Sequence, residues 1–394
     1  MKKQIVAIML GMTMMLAAGC GASKQDSTES TNNTQTTETA DEQSGVSSVQ
    51  MGVKPAEHVT QLCDYSAVPV SVSSIYELTD ENVEEATLEL LNGYGIGTKE
   101  VTDRTVVEAG DYVNVDYTGY QNGEAFSGGT ATDVLIDVSN NCDVNSGNGY
   151  ISGFSDGLLG AEVGSTIDCD VTFPEEYGVE SLNGQTVTFQ FVINGIYEPV
   201  TLDTIEDAVI EETFGADYGI TTKDALMDFV RQYIDASRYS AVVSQVKSYV
   251  VENSTFDIPQ EYLNARLAEY ETTYQNTYCA EGQSLEDYFL TNFSMALEDA
   301  EAELMTYLDE QVSVEFAFAV IADEVAITID EEEYAAYVQN FITSANMNFT
   351  TEDDVYNYFG AGNVEDGEEY LRGLYLVNKA IDHVAENAVV TYTE

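Results

Sequence analysis

The spacing of apolar residues in this chain changes period once, and the change falls at Pro199. Before it, over residues 101–199, apolar and polar positions alternate. Val113, Val115 and Tyr117 share one face of "YVNVDY"; "TDVLIDV" and "TIDCDVTF" follow, and "QTVTFQFVINGIYE" makes a long last strand. Glycines punctuate "YISGFSDGLLGAEVGS", leaving room for one short helix, "SDGLLG". After Pro199, over residues 200–394, the spacing is helical. The two periods predict an α+β chain: an antiparallel sheet crossed by a short helix, followed by an all-α domain.

Within the helical part, Thr221 and Asp224 form a capping-box pattern ahead of Leu226, Phe229, Val230, Tyr233 and Ile234. Pro259 opens a second helix, and Ser284 caps a long one running to about Val325. "DEEEYAAYVQNFITSA" and "EDGEEYLRGLYLVNKAIDHVAENA" complete the set. Many of the 26 tyrosines lie here. At helical spacing they read as packing residues before they read as a surface for other chains. Residues 57–100 form a lead-in, with strand character in "VPVSVSSIYEL" and a helix in "TDENVEEATLELL". Thr79 or Asp80 is its N-cap, with Val83, Thr87, Leu90 and Leu91 on one face. "GYGIG" follows a helix and not a strand, so it reads as a helix stop and not as a nucleotide loop.

The first residues are set apart from the fold. Lys2 and Lys3, an apolar run too short to span a membrane, and "LAAGC" ending at Cys20 resemble a bacterial lipoprotein signal over residues 1–19. Ala17 stands where that signal usually has leucine, and a plain secretory signal is the alternative. The reading makes Cys20 the lipidated residue. Residues 20–56 are small and polar and cannot offset chain entropy by burial, so they read as a tether reaching roughly 30–36 Å. The folded part then stands outside the cytoplasm, lipid-anchored to the cell membrane.

The chain carries 13 basic and 70 acidic residues, a formal charge of −57. That argues against nucleic acid and against docking on anionic lipid. Cys63, Cys142, Cys169 and Cys279 follow no metal-binding spacing, and their pairing is open. His58 and His383 share no triad pattern with serine or cysteine, and the acidic runs lack a calcium-loop spacing. No cofactor is implied. A reaction without acid, base or nucleophile fits best. Prolyl cis/trans isomerisation is one: its barrier, roughly 18–20 kcal/mol, is amide resonance. An apolar pocket that favours the twisted imide lowers that barrier.

Three segments in order, "VNVDYTGYQNGEAFSGG", "YISGFSDGLLGAEVGS" and "VTFPEEYGVESLNGQTVTFQFVINGIYE", resemble an FKBP-type peptidyl-prolyl isomerase domain, in the version found inside trigger factor. "LCDYSAVPVSVSSIYELTDENVEEA" resembles the segment before that domain, and "FDIPQEYLNARL" with the helices after it the C-terminal chaperone arms. The resemblance implies an FKBP-like sheet at 101–199, a helical chaperone domain with extended arms at 200–394, and a lead-in packed with the helices. It implies catalytic-pocket roles for Tyr117, Phe126, Tyr150, Ile151, Phe154, Tyr177 and Phe189, with Val134 and Ile136 adding apolar contacts. The Ile151 N–H would bind a substrate carbonyl. Ser127 replaces an acid that many members carry, and "SNNCDVNSGNG" before Tyr150 is longer than usual. No ribosome-docking domain is seen, so the implied partners are newly exported, unfolded polypeptides and not the ribosome. The rival readings are a catalytically weak holdase and a surface adhesin reusing the fold.

Overall fold

The computed structural model describes residues 46–344 and 349–393. The proposed signal at 1–19, Cys20 and the first part of the tether lie outside the described residues. The tether does not run to residue 56. Residues 46–56 pack as part of the fold, with Ser48 only 2% exposed and Met51 and Val53 against the apolar cluster of Tyr262, Leu263, Val312 and Phe316. Their few apolar side chains, spaced among polar ones, leave no periodic signal to read.

The described chain forms two compact units. One holds the residues up to Glu77 and from Tyr233 onward; the other is Leu78–Gln232. The lead-in therefore splits. Its first part is α1 (Pro55–His58), β1 (Val59–Gln61) and β2 (Pro69–Ser73), all in the first unit. Its second part, α2 (Asp80–Gly93) and β3 (Thr98–Glu100), belongs to the other unit, where α2 packs on the first helices after Pro199.

In the Leu78–Gln232 unit, Thr79 caps α2 by accepting from the Asn82 N–H, and Val83, Thr87 and Leu91 are buried while Leu90 is half-buried. The sheet is antiparallel: β3, β8 (Thr186–Pro199), β4 (Tyr112–Gln121), β5 (Glu124–Asp137) and β6 (Cys142–Asp143) in that order, with β7 (Thr166–Thr172) also on β8. Alternation puts Val113, Val115, Ile136, Phe191 and Ile193 wholly inside. The short helix expected in this stretch is a single 3-10 turn, Asp156–Leu158, held brief by Gly153 and Gly160 at positive φ on either side. A second small core joins α2 to α3 (Asp207–Tyr218) and the start of α4 (Lys223–Glu252) through Leu91, Ile210, Phe214 and Leu226. The cap of α4 is one residue later than predicted: the Thr222 hydroxyl accepts from the Ala225 N–H.

The first unit is helical but not all-α. β2 pairs in parallel with β10 (Val389–Thr393), and β1 pairs with β9 (Thr255–Phe256). Val70 and Val72 then reach a core of Val246, Val250, Phe318 and Ile381. Pro259 precedes α5 (Gln260–Tyr278) as predicted. The long helix from Ser284 is two, α6 (Leu285–Phe293) and α7 (Leu297–Glu324). Ser294 turns left-handed at φ 55° and drops Met295 into a cluster with Tyr274 and Phe289. The remaining helices are α8 (Glu331–Thr343), α9 (Glu352–Phe359) and α10 (Val364–Glu386). The acidic starts of α8 and α9 act as caps: Asp330 accepts from two N–H groups, and Thr351 and Asp354 form a capping box. Arg266 on α5 is paired with Glu315 on α7 at 2.6 and 3.1 Å, and both bond the Tyr370 hydroxyl of α10. Removing one member of such a buried pair costs about 3–5 kcal/mol.

Burial holds the Glu271 carboxyl up to about 7, and the neighbouring Glu301 reinforces the shift by charge and hydrogen bond. The unfolded chain releases that proton near the ordinary ~4.3, so this stability falls as pH rises from there through 7. Solvent at this half-buried site reduces the effect to roughly 1 kcal/mol. Intrinsic-rate-corrected hydrogen exchange in α5 and α7 is expected to be faster at about pH 8 than at about pH 5. Glu271→Gln should remove most of that difference; an unchanged pH dependence in the variant would count against the assignment.

Candidate active site

The long strand β8 sets the site. Its inward residues Phe189 and Phe191 lie beside Gly119 and Tyr117 of β4 in antiparallel register. Phe154, placed by the turn after Tyr150 and Ile151, is 2% exposed beneath them. Its ring meets Tyr117 edge-on at 5.2 Å and Phe189 at 4.8 Å, and stacks on Tyr150 at 4.4 Å. Phe126, after the β4–β5 turn, stands 5.8 Å from Phe189 and 79° to it. Tyr117, Phe126, Tyr150, Ile151, Phe154 and Phe189 thus come together as one aromatic wall and floor. Each ring pair is worth about 0.5–1.5 kcal/mol beyond area burial.

The other predicted residues sit differently. Tyr177 is 43% exposed; its ring lies 4.4 Å from that of Phe173, and its phenol is near enough to Tyr117 to add to the upward push on that group. Ile136 is wholly buried in the sheet core, whereas Val134 packs at the edge of the cluster. Ser127 is exposed.

The segment expected to be an insertion does more than lengthen a loop. Cys142 and Asp143 add β6 to the edge of β5, and Asp143 accepts from the Tyr150 hydroxyl at 3.5 Å. Asn141, in left-handed backbone at φ 51°, clasps the turn. Its amide donates to the carbonyls of Tyr150 and Ile151 at 3.1 and 3.0 Å, and its oxygen accepts from Ser155 N–H at 3.1 Å. The Ile151 N–H donates to no group of the described chain. Burial, then the Asp143 charge, push the phenols of Tyr117 and Tyr150 upward, so both stay neutral at physiological pH. The site offers a desolvating aromatic surface, neutral hydroxyls and the free Ile151 N–H.

Residues 104–194 match the family model described as FKBP-type peptidyl-prolyl cis-trans isomerase, which spans this whole site. This segment is an FKBP-type peptidyl-prolyl isomerase domain. Residues 230–386 match the C-terminus of bacterial trigger factor. Trigger factor of Shouchella clausii is 26% identical over 87% of this chain and 74% of its own. That of Desulforamulus reducens is 30% identical over 71% and 61%. A solved trigger factor chaperone, studied for promiscuous substrate recognition in folding and assembly, aligns over 82% of this chain and 71% of its own. Identity there is 15% and the TM-score 0.33.

Sequence reading missed Phe173, Phe191, Asn141 and Asp143, and two glycines that hold Phe126. A Cβ on Gly119 would lie 2.5 Å from the Phe126 ring and 2.8 Å from Phe189; one on Gly129 would lie 2.6 Å from Phe126. The ring is seated between two backbones that only glycine lets approach. Phe173, one residue past β7, continues the buried alternation of Cys169 and Val171, and that was the available signal. Gly119→Ala should lower kcat/KM on a proline peptide by roughly tenfold or more through misplacement of Phe126. It should cost ~1–3 kcal/mol of stability. Gly149→Ala, which meets open space, should change neither. Full activity in Gly119→Ala would show that the seat of Phe126 is immaterial.

Proposed function

We propose that this chain is a lipid-anchored, extracytoplasmic folding factor. Its isomerase domain turns X–Pro bonds in newly exported polypeptides, and its helical unit holds those polypeptides as a chaperone. The observation that carries the catalytic part is the Phe154 cluster beside the unpaired Ile151 N–H. The proline ring would rest on Phe154 between Tyr117, Phe126 and Phe189. The Ile151 N–H would take the carbonyl on the substrate, and Tyr150 would close one side. An imide removed from water in this way loses hydrogen bonds that stabilise its planar form. The twisted form, with a more basic nitrogen and less conjugation, is then favoured. No side chain exchanges a proton with the substrate.

The chaperone part is supported by the trigger factor match over 230–386 and by exposed aromatics on the described helices, among them Tyr278 at 44%. Holding a client near the pocket raises its effective concentration there. The export and anchoring reading is supported by Lys2, Lys3, the apolar run and Cys20. Exported chains would be its clients, with no role at the ribosome and no cofactor.

The whole chain should accelerate both a proline tetrapeptide and a protein whose refolding waits on one proline. Tyr117→Ala and Phe154→Ala should lose roughly tenfold or more, in line with removal of a transition-state contact. Acceleration that survives both substitutions would place the chemistry elsewhere. Suppressed aggregation with no acceleration of either substrate would favour the holdase. In cells, an alkynyl fatty acid should label the chain and fail to label Cys20→Ala; equal labelling of both would remove the anchor.

A further inference from the structure

A cavity of about 90 Å³ opens in the helical unit between α5, α9 and α10. Part of its wall is the chain's own N-terminal segment. Residues 47–51 make one helical turn, with Met51 N–H donating to the Ser47 carbonyl. Two carboxylates hold the free start of this turn. Glu269 accepts from the Ser48 N–H at 2.5 Å and from its hydroxyl at 2.8 Å. Asp366 accepts from the Ser47 hydroxyl at 2.7 Å and from the Gln50 amide at 2.9 Å.

This is how acids meet the unpaired donors at the start of a helical turn. None of these contacts depends on a side chain found only in this segment. A backbone N–H, two hydroxyls and an amide are donors that many chains can offer.

The fit is also incomplete. Space remains beside the turn, and the Tyr358 hydroxyl on the cavity wall is buried without a hydrogen bond. A buried orphan hydroxyl is costly, and a ligand that reached it would gain. Val46 is 60% exposed, so the turn is fixed by its polar bonds at this end. Its other end is fixed differently, by Met51 and Val53 in the apolar cluster.

We propose that this cavity is a peptide-binding site for turns that begin with serine or threonine donors, and that residues 46–50 occupy it in cis until a client displaces them. The client half of this inference rests on the chaperone reading above. The Met51 and Val53 anchor keeps the released turn nearby, at an effective concentration on the order of mM for a short leash. A client must therefore compete with a weakly fitted but ever-present occupant. When the turn leaves, Asp366 and Glu269 lose four donors, which draws in the donors of another chain.

The test uses the whole chain and two probes: a fluorescein-labelled peptide of sequence VSSVQMG, and a permanently unfolded, reduced and alkylated protein. Ser47→Ala combined with Ser48→Ala should tighten binding of both probes by roughly tenfold, about the weight of one charge-assisted hydrogen bond. Adding Thr273→Phe, which fills the cavity, should abolish that gain. In the wild-type chain, amide exchange at residues 47–51 should quicken when the unfolded protein is added. Failure of the peptide to bind the double variant, or an equal gain with the cavity filled, would overturn the site. Peptide binding without faster exchange on adding the unfolded protein would overturn displacement by clients. If that same protein still aggregates freely in the wild-type chain's presence, the chaperone reading falls instead, and peptide binding still decides the site.

Discussion

The isomerase face depends on the burial of one ring. Phe154 is the shared contact of Tyr117, Tyr150, Phe189 and Phe191, and it is carried by a turn and not by a strand. A turn has no ladder to fix it. Here the Asn141 side chain supplies the fixing from outside, with three hydrogen bonds across the Tyr150–Ser155 stretch. Burying a phenylalanine contributes about 1.5–3 kcal/mol, enough to repay an ordered turn only if its backbone groups are also satisfied. The Tyr150, Phe154 and Ser155 N–H groups are bonded, whereas those of Ile151, Ser152 and Gly153 have no partner among the described residues; the first of these is the donor a substrate would need.

Asp143 shows how local the design is. The position after Phe126 carries an exposed Ser127, where an acid would be expected from the resemblance. A carboxylate reaches the site by another route, on the short strand β6 built from the longer segment at 139–149. It lies at the outer end of the Tyr150 ring. The lengthened segment is thus a built edge of the pocket and not a slack loop.

Periodicity made most of this legible. The alternation before Pro199 carried the sheet, and the ordered aromatic residues with their glycines carried six of the seven pocket positions into one cluster. What periodicity could not carry was anything set by contacts distant in sequence. The break at Ser294 hides inside an unbroken helical pattern, because Met295 finds its cluster only after the chain has folded. The tether's end is similar: "VSSVQ" looks like more of the same polar run, and only Glu269 and Asp366, more than 200 residues away, give it a place. Tyr177, expected in the pocket from the resemblance, packs on Phe173 at the exposed edge of the cluster.

The most direct test of the central claim is exchange spectroscopy by NMR on a proline peptide mixed with the isotope-labelled chain. Uncatalysed, the cis and trans signals interconvert over roughly 10–100 s and give no exchange cross-peaks. Cross-peaks on a subsecond scale, together with a shifted Ile151 amide, are the predicted result. Interconversion that stays at the uncatalysed rate, or catalysis that leaves the Ile151 amide unmoved, would contradict the account.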